Sequence, residues 1–249
     1  MKELGVEIYK DVASSAVSEI GAVAGRSVRA LLAPIRGFLW GWERIEEYVE
    51  TEVQKRLEKV PNEQIKSPDP EIAVPLLQSL TYTAQNETLR EMYIALLTNS
   101  MDKRKENIVH PSYIEIIKKM NRLDALLFEK LSFEDGYTMV VNPRISISGT
   151  SKFVPRVLPE WYLGWTLEED DEFSISASLV RLGKFGIIDL MYDRSISGVS
   201  YNKLYHTPFL ETKLSEIRTA RPQESLEIKA RDSAIFVNEY GRQFRQACS

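Results

Sequence analysis

The chain has 249 residues, 43% of them hydrophobic and 27% charged, and its 32 lysines and arginines against 36 aspartates and glutamates give a formal net charge of −4. Such a composition is globular, at a length that allows one large domain or two small ones. A single cysteine, Cys248, excludes a disulfide scaffold and a multi-cysteine zinc site, and two histidines, His110 and His206, exclude a histidine-rich metal centre.

From Asp11 to Ala33 the chain is rich in Ala, Val and Ser and has a helical pattern, which Pro34 kinks or ends. A charged helix follows to Val60, with Ile45, Val49, Val53, Leu57 and Val60 forming one apolar stripe. Pro61 and NEQIKSPDP read as a linker. Helices are then predicted over about 71–83 and 87–103, the second with Leu89, Met92, Tyr93, Leu96 and Leu97 on one face. His110-Pro111 opens the short helix SYIEIIKKM, and Asn121 and Asp124 occupy capping positions for RLDALLFEKLS.

Beyond about residue 135 the pattern changes. YTMVV and RISIS, bounded by Asn142-Pro143 and Ser148-Gly149, predict two strands or extended segments, and FVPRVLPEWYLGW a loop. The acidic run 168–172 precedes SISASLVRLGKFGII, where Ile175, Leu179, Leu182 and Phe185 keep helical spacing and Gly183 or Gly186 ends the helix. A short strand from Ile187-Ile188 and further helix broken at Pro208 come next. SLEIKAR and AIFVN, separated by Asp232-Ser233, predict a β-hairpin, and EYGRQFRQACS a closing helix. Helix, glycine turn and hairpin in that order predict a winged-helix-like module.

Signatures of catalysis are missing: the chain carries no glycine-rich phosphate loop, nucleophile elbow or metalloprotease helix. His110 suits a helix start, His206 packing in a tyrosine-rich segment, and Cys248 an inert thiol. The acidic run suits the positive end of a helix dipole better than a cation cage, which needs six or more converging oxygens. No cofactor or metal is expected, and the chain is not expected to be an enzyme.

Residues 26–42 carry the strongest interaction signal. At about 100° per residue, Arg26, Arg29 and Arg36 share a sector of roughly 80°, with Val28, Leu31, Ile35, Phe38, Leu39 and Trp42 on the other side. A basic amphipathic helix edged with tryptophan suits a membrane interface, a partner groove or the protein's own core. Arg26, Arg29, Arg36, Phe38, Trp40 and Trp42 are therefore the candidate interaction residues. Arg181, Lys184, Lys229 and Arg231 are the candidate nucleic-acid contacts, but four cations beside an acidic run make a poor footprint for DNA. Lys103-Arg104-Lys105 and Lys118-Lys119 with Arg122 suit a solvated face or phosphate contacts.

APIRGFLWGWERIEEYVE, LREMYIALLTNSMD, HPSYIEIIKKMNRLDALLFEKL and NEYGRQFRQAC, in this order, resemble the abortive-infection alpha family of bacterial proteins. The sequence departs from that pattern at Asn238-Glu239-Tyr240, where the family favours Thr-Pro, and over 191–225. The resemblance implies a role in defence against phage and carries over no catalytic residue.

The expected fold is α+β and mainly α: a helical domain over 1–134 with an amphipathic N-terminal segment, then a mixed winged-helix-like domain over 135–249. The expected protein is a non-enzymatic antiphage factor acting through homo-oligomerisation and contact with a phage or host protein or a membrane. A nucleic-acid-binding regulator or sensor is the alternative. No uncharged apolar run is long enough for a transmembrane helix, and Glu3, Glu7 and Asp11 interrupt the place where a signal peptide would be apolar. A cytoplasmic location is expected, with peripheral contact at the inner face of the cell membrane.

Overall fold

A computed structural model describes residues 45–83, 86–131, 136–167 and 170–249. The architecture is α+β and mainly α. Two compact units divide the chain, one running to Arg122 and completed by Gln243–Ser249, the other Leu123–Arg242.

The first unit is helical. Helix α1 (Glu46–Leu57) buries Val49, Val53 and Leu57, the stripe that its four-residue spacing predicts, with acids in the first turn and Lys55 and Arg56 in the last. Helix α2 (Pro70–Thr83) buries Leu76, Leu77 and Leu80. Helix α3 (Glu87–Ser100) starts where the Asn86 side chain accepts a hydrogen bond from the Leu89 amide, and it is buried on nearly every side over its last two turns. A 3-10 helix over Lys103–Ile108 follows, capped by Asp102, then α4 (Ser112–Lys119). Tyr113 of α4 meets the ring of Phe244 edge-on, with centroids 5.3 Å apart.

The second unit begins one residue into α5 (Arg122–Lys130) and is built on four antiparallel strands: β1 (Tyr137–Ile147), β2 (Phe153–Val154), β3 (Ile188–Met191) and β4 (Leu226–Val237), in the order β2-β1-β4-β3. Helix α6 (Glu172–Lys184) is capped by Asp171 and closed through a turn in which Gly186 has φ +76°. Helices α7 (Asn202–Tyr205) and α8 (Pro208–Ala220) occupy the connection from β3 to β4, with Thr207 as cap and Pro208 in the first turn of α8. Helix α9 (Glu239–Ala247) closes the chain.

Register assigns the sheet's two faces, because paired residues share a side and alternate along each strand. Pairs such as Val141–Asp232 and Ile145–Ile228 put one face against Tyr162, Tyr201, Leu204 and Leu210. Pairs Val140–Ser233, Asn142–Arg231 and Arg144–Lys229 make the opposite face. That face is buried around Val140, Ser233 and Ile235 and exposed at Arg144, Lys229 and Arg231.

Three expectations require correction. YTMVV and RISIS are one continuous strand through Pro143. The amides of Val141 and Ile147 donate to Tyr162 and Lys152 on the β2 side, so by alternation the missing amide of Pro143 faces the gap between those partners. SLEIKAR and AIFVN are likewise one strand, not a hairpin: the Ser233 hydroxyl donates to Asn142 Oδ1 at 2.6 Å and Tyr205 donates to Asp232, which satisfies both polar residues without a turn. Asp124 lies in the first turn of α5 and is wholly buried. His206 is exposed at the end of α7 and does not pack in a core. His110, by contrast, accepts the Ser112 amide on Nδ1 at 3.1 Å, in keeping with a helix start.

Candidate functional site

The exposed half of the sheet face gathers side chains from four places in the chain. Arg144 on β1 sits beside Lys229 on β4, and Arg231 two residues on pairs with Asn142. Residue Ser146 pairs with Phe153 of β2, which brings the Phe153 ring to the same side, and the Arg144 guanidinium carbon stands 5.1 Å from the centre of that ring. Next to these residues lies a cleft of about 360 Å³ whose walls include Arg144, Phe153, Arg156, Glu160 and Tyr192.

The loops around this cleft are held firmly. Trp161 is buried, its amide donates to the Ser176 hydroxyl at 3.0 Å, and its ring stacks obliquely on Tyr192 with centroids 4.2 Å apart. Asn142 Nδ2 donates to the Glu160 carbonyl at 2.6 Å. Tyr192 donates to the Glu160 carboxylate; burial of the phenol, reinforced by that carboxylate, pushes its pKa up to about 12. Tyr192 and Phe153 nonetheless leave nearly half their surface in solvent (47% and 48%). An exposed ring fixed from behind, as Tyr192 is by Trp161 and Glu160, is a preorganised contact surface.

Backbone strain marks the same place. Among the described residues, the non-glycine positions with positive φ are Arg156 (59°) and Asp193 (55°). Arg156 lines the cleft, and the Asp193 carboxylate lies 3.2 Å from Arg231. A left-handed non-glycine residue costs about 1–2 kcal/mol and persists where the surroundings over-determine it, a situation concentrated at functional sites.

The charges of the face are partly countered. Lys229 lies 3.0 Å from Glu227 and Arg231 is paired with Asp193. Arg144 and Arg156 take no carboxylate within salt-bridge distance among the described residues. The described residues hold no group of three or more histidines, cysteines or acids placed to bind a metal ion.

Of the nucleic-acid candidates, Lys229 and Arg231 thus stand together on the face. Arg181 on α6 is turned to other work, its guanidinium held by buried Asp124, and Lys184 is exposed at the end of the same helix. Arg26, Arg29, Arg36, Phe38, Trp40 and Trp42 lie outside the described residues. Arg144, Phe153, Arg156 and Tyr192 were not singled out from the sequence. Alternation within RISIS marks Arg144 as outward-facing, but only the pairing register brings it to Phe153 and Lys229.

Comparison with protein-family models matches the chain to Abortive infection alpha over residues 41–248. The chain belongs to the abortive infection alpha family. The match takes in the whole second unit, the first from residue 41 on, and every strand and helix described above, so the sheet face is part of the family's region and not an appendage to it. No curated protein and no solved structure matches the chain. Among the described residues of this abortive infection alpha member, no helix is long and apolar enough to cross a membrane.

Proposed function

We propose that the protein acts in abortive infection as a non-enzymatic binding factor, engaging a phage or host protein through the exposed sheet face. The observation that carries the reading is the composition of that face: arginines, the exposed ring of Phe153 and the Tyr192 ring backed by Trp161, with Glu227 and Asp193 interspersed among the cations. Protein interfaces are enriched in Tyr, Phe, Trp and Arg and use alternating charge for register, whereas a polyanion favours an unbroken positive field. The N-terminal segment bearing Arg26, Arg29, Arg36, Phe38, Trp40 and Trp42 supplies, in the same proposal, the surface for self-association or peripheral membrane contact. The family match supports the biological setting.

The test is phage plating on cells that express the protein. Arg144→Glu with Arg231→Glu should lower protection at least tenfold while far-UV circular dichroism and the unfolding midpoint stay near those of the parent. Full protection by this folded double variant would overturn the reading. For the N-terminal segment, flotation with anionic liposomes should be lost on Trp40→Ala with Trp42→Ala.

One observation favours the alternative, nucleic-acid binding by the second unit: Arg144, Lys229 and Arg231 stand side by side next to an exposed phenylalanine, a combination that serves phosphate contact and base stacking. Fluorescence anisotropy with single-stranded DNA at low salt, repeated at rising salt, separates the two readings, since nucleic-acid affinity would fall steeply.

A further inference from the structure

A second cleft, of about 560 Å³, lies within the helical unit between the last turns of α1, the end of α3 and the 3-10 helix. Its lining has no aromatic side chain and a single aliphatic one, Val60; the rest is charged or polar. The two arginines of the lining are spoken for: Arg56 is paired with Glu91, and Arg104 grips buried Asp102 through Nε and Nη2 at 2.7–3.2 Å.

The three lysines are different. Lys55 in the last turn of α1 and Lys59 in the turn that follows the helix are both exposed and make no ion pair among the described residues. Lys105, on the other wall, is half-buried, and its ammonium donates to the amide oxygen of Asn99 at 2.8 Å with no carboxylate within salt-bridge distance. Asn99 is itself buried and oriented, because its Nδ2 donates to the Ala247 carbonyl at 2.9 Å. An ammonium bound to one neutral acceptor has two further donors for something else.

We propose that this cleft binds a small phosphate-bearing molecule, whose phosphate oxygens accept hydrogen bonds from Lys105 and from Lys55 and Lys59 across the opening. Lysine suits phosphate as a point charge with rotatable donors. With no ring on which a base could stack, the site recognises the phosphate and not a nucleobase. Glu52 and Glu58 also line it and offset part of the positive charge, so it fits a few phosphate charges and not the backbone of a nucleic acid.

The test is titration calorimetry of the full chain with inorganic tripolyphosphate, alongside sedimentation with phosphatidylglycerol vesicles, since a lipid headgroup offers the same phosphate chemistry. Saturable binding of about one tripolyphosphate per chain is expected, weakened at least tenfold by Lys105→Gln and by Lys55→Gln with Lys59→Gln, and unchanged by Arg144→Gln in the other unit. Lysine-dependent binding to vesicles alone would assign the site to lipid phosphate. The double variant alters two exposed positions, so it keeps the test valid should Lys105→Gln fold poorly. No saturable binding in either arm, or binding that survives both lysine variants, overturns the proposal.

Discussion

The guanidinium of Arg181 lies 2.8 Å from the carboxylate of Asp124, which is wholly buried, and the Ser178 hydroxyl donates to the same carboxylate at 2.6 Å. The Arg181 side chain keeps 37% of its surface exposed, so the burden of desolvation falls on the acid. The two partners are therefore unequal. Arg181→Met would strand a buried carboxylate and should destabilise the protein by about 3 kcal/mol. Asp124→Asn leaves an arginine that can still reach water and an amide that can still accept from Ser178, and should cost about half as much. Urea unfolding of the two variants measures the difference; equal losses would contradict this asymmetry. Arg181→Glu is for the same reason a poor probe of nucleic-acid binding, since it places two carboxylates together.

Asp171 caps α6 by accepting from the amides of Phe173 and Ser174, both at 2.8 Å, and these hydrogen bonds hold its carboxyl below the usual aspartate range. Asp171→Ala should cost about 1 kcal/mol at neutral pH. A folded-state pKa below the unfolded one gives stability that is fully present above the unfolded value near 4, and that is lost as the pH falls through the folded value. The gap between parent and variant in urea midpoint should accordingly narrow from pH 5 down to pH 2. A gap that stays constant over that range would mean the charged form of the cap contributes nothing.

Gly241 is required by a backbone contact. A Cβ placed there would stand 2.0 Å from the carbonyl oxygen of Ile187, a rigid neighbour that cannot turn aside. Glycine inside a helix ordinarily costs about 1 kcal/mol relative to alanine, so the helix propensity of α9 alone would favour the exchange. The clash reverses the sign. Gly241→Ala should lose about 3 kcal/mol, read as a lowered thermal midpoint. Any stabilisation by alanine would show that α9 sits further from Ile187.

Sequence periodicity carries the helices because a single buried stripe repeats locally: Ile45, Val49, Val53 and Leu57 announce α1 without knowledge of what they pack against. The sheet was less legible. Pro143 and Asp232-Ser233 look like breaks when each segment is taken alone, and they become strand interior only through distant partners: an edge gap beside Pro143, Asn142 for Ser233, Tyr205 for Asp232. The candidate face shows the same limit. Lys229 and Arg231 stand out by charge, but Arg144, Phe153 and Tyr192 join them through register and loop packing, quantities that no local window holds. In the helical unit, LysArgLys at 103–105 looks like one basic cluster, while the fold gives each residue a separate partner: the Glu63 carbonyl, Asp102 and Asn99.

Cys248 is buried, and loss of solvation raises its thiol well above the ordinary cysteine pKa. Thiolate is the reactive form, so burial suppresses reaction twice, by withholding the ion and by blocking access. As the chain's only cysteine, it gives an unambiguous readout. Ellman's reagent at pH 8 should label the native protein slowly, at a rate that rises with urea along the unfolding curve and reaches the free-thiol rate once the chain is unfolded. The proton is held more tightly in the folded state, so this group's contribution to stability is complete below the unfolded value near 8.5 and declines as the pH rises toward the folded one. Rapid, complete labelling in native buffer would mean that the end of α9 opens freely, which would undo the packing of Phe244 on Tyr113 and the anchoring of Asn99 on the Ala247 carbonyl.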